Sequence, residues 1–139
     1  MDKYKEIRPI ALGVIIKDGK LLVENCYNEV KDEKFYRCLG GGIEFLEKSE
    51  DTLKREFKEE IGAEVEVGNF LGLCENIFNY QGKDAHELVL FYDAKLKSDD
   101  IKDEYHKLDD DHNKITWENI EDFKDNKKIV YPKEVLEYI

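Results

Sequence analysis

The chain has 139 residues and a formal net charge of -11, from 33 Asp and Glu against 22 Lys and Arg. That balance excludes a general binder of long nucleic acid, which is held by clustered Lys and Arg, so an anionic ligand here needs a metal ion or a local basic pocket. Hydrophobic residues make up 41%, enough for one domain over residues 1–139 with its own core, and no apolar stretch is long enough to span a bilayer; a cytoplasmic chain without membrane partners is expected.

The patterned part begins with "RPIALGVIIKDGKLLVEN", two apolar runs from Pro9 to Ile16 and from Leu21 to Glu24. The Asp18-Gly19 pair between them is a strong hairpin signal, because both residues accept the left-handed backbone that a tight two-residue turn requires. After a polar loop, "FYRCLGGGIEF" reads as a short strand running into a triple glycine and out again. Ser49 is then placed to cap a helix, Glu50 and Asp51 suit the positive end of its dipole, and Gly62 stands where a helix would end.

Beyond Gly62, "AEVEVGNFLGLCENIF" and "HELVLFYDAKL" alternate as two or more strands, with Gln81-Gly82-Lys83-Asp84 as the turn between them. Lys97 to Asn113 is acidic and weakly patterned and reads as a loop. Ile115 to Glu118 fits a last strand and Pro132 to Ile139 a terminal helix. The order of strands, helix, strands, loop and helix predicts an α+β or mixed-sheet α/β architecture with helices packed on a central sheet. Cys26, Cys38 and Cys74 are far apart and lack zinc or dithiol spacing, so they read as reduced thiols in or near the core.

The helix carries an unusual charge pattern. Advancing about 100° per residue, Leu53, Phe57 and Ile61 fall within about 80° and form a buried stripe. Glu60 and Glu56 lie about 20° and 60° from Leu53 on one side, and Glu59 and Arg55 continue the same way round. Like charges three and four residues apart repel. Taken alone, such a cluster is a solvated flank, since Glu is a good helix former.

The upstream spacing changes that reading. The chain runs Gly41-x5-Glu47-x7-Arg55-Glu56-Phe57-x-Glu59-Glu60-x-Gly62-Ala63, and by chance such a match would arise in a chain of this length with odds on the order of one in a million. The pattern resembles the Nudix box, G-x5-E-x7-R-E-U-x-E-E-x-G-U, which marks the Nudix hydrolases, and every charged and glycine position is met. The leading hairpin, the "GGGIEF" approach, the "HELVLFYDAKL" strand and a late Trp before a terminal helix are also similar to the family. Ala63 is smaller than the aliphatic residue the box prefers, and Leu46 and Cys38 stand where relatives often carry Gly and Pro. These departures bear on loop shape and substrate fit, not on a charged position.

The resemblance implies a mixed sheet sandwiched by helices and hydrolysis of a nucleoside diphosphate linked to another moiety, with Mg²⁺ or Mn²⁺ as cofactor. Crowded carboxylates are tolerable when a hard divalent cation sits between them. Carried over by position, Glu59 and Glu60 are the main metal ligands, Glu56 a ligand or the base, the Gly41 carbonyl a further ligand, and Glu47 an assisting carboxylate. Arg55 orients the glutamates through its guanidinium fork. Some members recruit a base from a late loop, for which Glu104, Asp110 and Asp111 are candidates.

Among other residues, Arg8 and Arg37 adjoin strands expected to border the site and suit phosphate. Tyr36, Phe78 and Trp117 could stack a base, although an aromatic in a small domain is more often core. A calcium loop starting at Asp109 fails, because Lys114 and Ile120 occupy the positions that need Gly and Glu. His86, His106 and His112 show no zinc spacing. The expected partner is a small nucleotide, either a nucleoside triphosphate or a nucleotide sugar such as ADP-ribose, bound by a monomer or homodimer. The alternative is a Nudix-fold protein that senses a nucleotide without cleaving it.

Overall fold

A computed structural model describes residues 5–108 and 113–139. Strands β1 (Ile7–Val14), β2 (Ile16–Lys17), β3 (Lys20–Asn28) and β4 (Glu33–Gly42) precede helix α1 (Ser49–Ile61). After it come β5 (Val65–Tyr80), β6 (Lys83–Leu96), β7 (Glu104–His106), β8 (Lys114–Asn119) and the short helix α2 (Ile120–Lys124). The strands form one sheet in the order β5-β6-β1-β4-β3-β8-β7, with β2 paired to β3. Among the named strand pairs β1 and β6 run parallel and the others antiparallel, so the sheet is mixed.

Period-two alternation in β1 explains why it sits at the centre. Ile10, Leu12 and Val14 join a core on one face with Phe123, Val130 and Val135, contributed by α2 and the C-terminal segment. Ala11 and Ile15 point the other way, into a core with Leu53, Phe57 and Ile61 of α1. These three stripe residues are at most 7% exposed, and each contributes about 1.5–3 kcal/mol on burial. That packing fixes which flank of α1 remains for chemistry.

The first hairpin is narrower than the apolar runs suggest. Asp18 and Gly19 both take positive φ, 52° and 73°, as the turn demands. The ladder with β3 covers Ile16–Lys17, with one more bond from the Leu22 N–H to the Ile15 carbonyl at 3.0 Å, while Ile7–Val14 lie between β4 and β6. The second hairpin, β5 to β6, turns at Gln81-Gly82, also at positive φ, and Lys83 and Asp84 belong to the returning strand.

Four local expectations change. The triple glycine continues β4 to Gly42. The N-cap of α1 is Lys48, not Ser49; the Ser49 hydroxyl is engaged with the Tyr92 hydroxyl at 2.5 Å. The stretch read as loop from Lys97 to Asn113 contains a 3₁₀ turn at Ser98–Asp100 and β7, whose single buried residue, Tyr105, is too little pattern to read. The C-terminal segment forms a 3₁₀ turn at Lys133–Tyr138 in place of an α-helix. Gly62 does end α1 in the left-handed conformation, its N–H donating to main-chain carbonyls of the last turn.

All three cysteines are free thiols, Cys38 buried and Cys26 and Cys74 half-buried. Burial first of all pushes each up to about 12, so none is a thiolate near neutral pH. Among the described residues no helix is long and apolar enough to cross a membrane.

Candidate active site

The carboxylate flank of α1 faces the end of β4, and Arg55 sits at its centre. Its Nε and Nη2 donate to the two oxygens of Glu47 at 2.8 and 2.9 Å. Nη1 donates to Glu56 at 2.8 Å and to Glu59 at 3.2 Å, and Nη2 also reaches the Gly42 carbonyl at 3.1 Å. A planar fork with several donors suits this convergence, which a single ammonium could not reproduce. The Arg55 and Glu47 bond pushes the guanidinium further up and, with a Thr52 hydroxyl bond of 2.6 Å, holds the Glu47 carboxyl down at about 2. Thr52 is fully buried; nothing in its sequence context marked it as a support for Glu47.

Glu56 and Glu60 keep only 16% and 14% of their side chains exposed, whereas Glu59 keeps 58%. Glu56 lies over the glycine strand: a Cβ at Gly41 would stand 2.4 Å from its carboxyl carbon. That close approach is the physical reason for glycine there. Glu47, Glu56, Glu59, Glu60 and the Gly41 carbonyl offer hard oxygen donors, the type that Mg²⁺ or Mn²⁺ takes. Among the described residues no three carboxylates converge on one point, in keeping with the hold of Arg55 on three of them.

A cleft of about 560 Å³, whose lining includes none of the box carboxylates, is walled by β3 and the first half of β4 on one side and by the β5–β6 hairpin on the other. Phe35, Phe78 and Tyr80 line it together with Arg8, Arg37 and amides such as Asn28 and Asn76. Arg37 is ion-paired with the buried Glu87 at 2.8 Å, and Asn76 donates to the same carboxylate at 3.3 Å. Arg8 reaches towards the glycine strand, its Nη2 3.4 Å from where a Gly42 Cβ would be.

Tyr36 and Trp117, expected to stack a base, are not at the cleft. Alternation along β4 turns Tyr36 to the opposite face from Phe35 and Arg37, where its ring meets Phe123 at 5.6 Å. Trp117 packs against the core beneath α1 and donates its indole N–H to the Lys102 carbonyl at 2.8 Å. Of the late-loop carboxylates, Glu104 is half exposed on β7, and Asp110 and Asp111 lie outside the described residues. Sequence reading missed Glu24, which lines the cleft, and Lys107, which pairs with it at 2.7 Å; neither belongs to a recognisable spacing.

A family model described as the NUDIX domain matches residues 7–138. Among solved structures the chain is similar to the Escherichia coli ORF135 protein, with 21% identity, a TM-score of 0.61, and 95% of this chain and 87% of that one covered. It is similar to a MutT NUDIX hydrolase from Burkholderia pseudomallei at 20% identity and TM-score 0.64, covering 84% and 86%. A NUDIX hydrolase from Nitrosomonas europaea gives 16%, 0.66, and 95% and 85%. At such identities the likeness is one of fold. No curated protein sequence matches. With the family model running through almost the whole chain and the charged positions of the box gathered on one flank of α1, this chain belongs to the Nudix family, whose members are hydrolases acting on pyrophosphate bonds.

Proposed function

We propose that the chain hydrolyses a small nucleotide, a nucleoside triphosphate or a nucleotide sugar such as ADP-ribose, by attack of water on phosphorus with Mg²⁺ or Mn²⁺ as cofactor. The observation that carries this reading is the junction of the carboxylate flank with the cleft. Arg8 joins them at the glycine strand, and Lys107 joins them between Glu24 and Glu60. A diphosphate bridging the two would lie with its nucleoside among aromatic side chains and its phosphates towards α1.

Glu56, Glu59 and Glu60 would hold the metal, with the Gly41 carbonyl and Glu47 in support. Once bound, the cation neutralises phosphate charge and lowers the pKa of a coordinated water. Glu56 or Glu60 would take the proton of the attacking water; both are partly withdrawn from solvent, Glu56 beside the glycine strand and Glu60 near Lys107. Arg55 holds the carboxylates and does not touch the substrate. Phe35, Phe78 and Tyr80 offer stacking surface for a base. Arg37 is already matched by Glu87, and Arg8, at the glycine strand, would face the phosphates.

The test is product release from nucleoside triphosphates, ADP-ribose, other nucleotide sugars and dinucleoside polyphosphates, with Mg²⁺ or Mn²⁺, for the wild type and Glu59→Gln. Turnover of one class, lost in Glu59→Gln, supports hydrolysis and names the leaving group. Binding of a nucleotide without cleavage would put the sensing role in its place.

A further inference from the structure

Lys107 lies outside the box, yet the main chain delivers it to the box helix. The Leu108 N–H donates to the Glu60 carbonyl at 2.8 Å, one of the last carbonyls that a helix leaves without an intrahelical donor. The segment after β7 is thereby pinned to the last turn of α1. From there the Lys107 ammonium lies 2.7 Å from Glu24 and 3.9 Å from Glu60. Glu24 comes from β3 on the far side, and Asn113 donates to its same oxygen at 2.9 Å. All three side chains of the triad are mostly withdrawn from water, at 14–17% exposure. In such surroundings an ammonium attracts the carboxylates beside it more strongly than on an open surface.

We propose that Lys107 is a positioning residue that holds Glu24 and Glu60 together, one positive charge between two negative ones, and competes with the divalent cation for Glu60. Loading the metal therefore works against the attraction of the ammonium for that carboxylate. The inference rests on the metal reading of α1 made above. An ammonium about 4 Å from a ligand oxygen, in a partly buried site, weakens cation binding on the order of tenfold or more. The lysine keeps the empty carboxylates from repelling one another, at the expense of metal affinity.

Mn²⁺ titration followed by electron paramagnetic resonance, on the full chain without nucleotide, tests this with Lys107→Met, Lys107→Gln, Lys107→Arg and Glu60→Gln. Removing the charge in Lys107→Met and Lys107→Gln is expected to tighten Mn²⁺ on the order of tenfold, while Lys107→Arg stays within about twofold of the wild type because it keeps the charge. Thermal midpoints in EDTA should fall for the two neutral variants, and the glutamine side chain retains hydrogen bonding should the methionine variant fail to fold. A purely structural lysine would leave Mn²⁺ affinity unchanged or weakened in folded neutral variants, and that result overturns the proposal. If Glu60→Gln abolishes Mn²⁺ binding while Lys107→Gln leaves it unchanged, only the present inference falls. If Glu60→Gln binds Mn²⁺ like the wild type, the metal reading of α1 falls with it.

Discussion

Arg55 donates five hydrogen bonds, four to glutamates and one to a glycine-strand carbonyl. Lysine would keep the charge but concentrate its donors on one atom, so it cannot serve Glu47, Glu56 and Gly42 together. Arg55→Lys is therefore expected to lower kcat/KM on the order of 10- to 100-fold, as loss of an orienting group beside a metal site typically does. Far-ultraviolet circular dichroism should stay unchanged; an active Arg55→Lys enzyme would remove the orienting role. The same residue explains how crowded carboxylates survive without metal: one guanidinium and one ammonium, Lys107, share them.

At the scale of elements, the turn between β4 and α1 holds an internal conflict. Leu46 takes φ 68° and is 91% exposed, so a bulky side chain occupies a left-handed position with no burial to offset it. Such a conformation costs a non-glycine residue about 1–2 kcal/mol, partly offset in Leu46→Gly by the greater freedom of the unfolded chain. Leu46→Gly is expected to raise Tm by about 2–5 °C, read by differential scanning calorimetry; a lowered Tm would mean the leucine is doing something the turn needs. On β8, Glu118 carries a pH dependence. Burial pushes its carboxyl up, but bonds from Lys128 and Thr116 outweigh this and hold it below the ordinary range. A depressed carboxylate lends stability that is present above its unfolded pKa and lost as pH falls through the folded one. Below about pH 4 the wild type should therefore lose stability more steeply than Glu118→Gln; parallel acid-unfolding curves would contradict this.

The whole molecule carries a net charge of -11, with several of its carboxylates concentrated on one flank of α1. Self-repulsion of this kind opposes the compact state, and a ligand that binds only the folded chain stabilises it by mass action, about 2.7 kcal/mol at a hundredfold excess over Kd. Millimolar Mg²⁺ should thus raise the wild-type Tm by several degrees beyond NaCl of equal ionic strength. A Glu56→Gln, Glu59→Gln, Glu60→Gln variant should respond to both salts alike. An equal Mg²⁺ shift in that variant would place the cation elsewhere.

Much of this was legible in the sequence because it is local. A two-residue turn, a helix stripe and a motif with fixed spacing depend on backbone geometry repeated every 2.0 or 3.6 residues, and they announced the Asp18-Gly19 turn, a turn from Gln81 to Asp84 that the structure narrows to Gln81-Gly82, and the Leu53, Phe57 and Ile61 stripe. What stayed hidden involves partners far apart in the chain. The insertion of β1 between β4 and β6, the turning of Tyr36 away from the cleft, the pairing of Arg37 with Glu87 and of Lys107 with Glu24 all follow from strand order and register. By itself the sequence determined the family, the helix and which carboxylates share its flank. Only the tertiary structure decided which aromatics and cations face the cleft, since a side chain's face is set by the strand it pairs with, and that pairing is fixed by burial across the whole sheet.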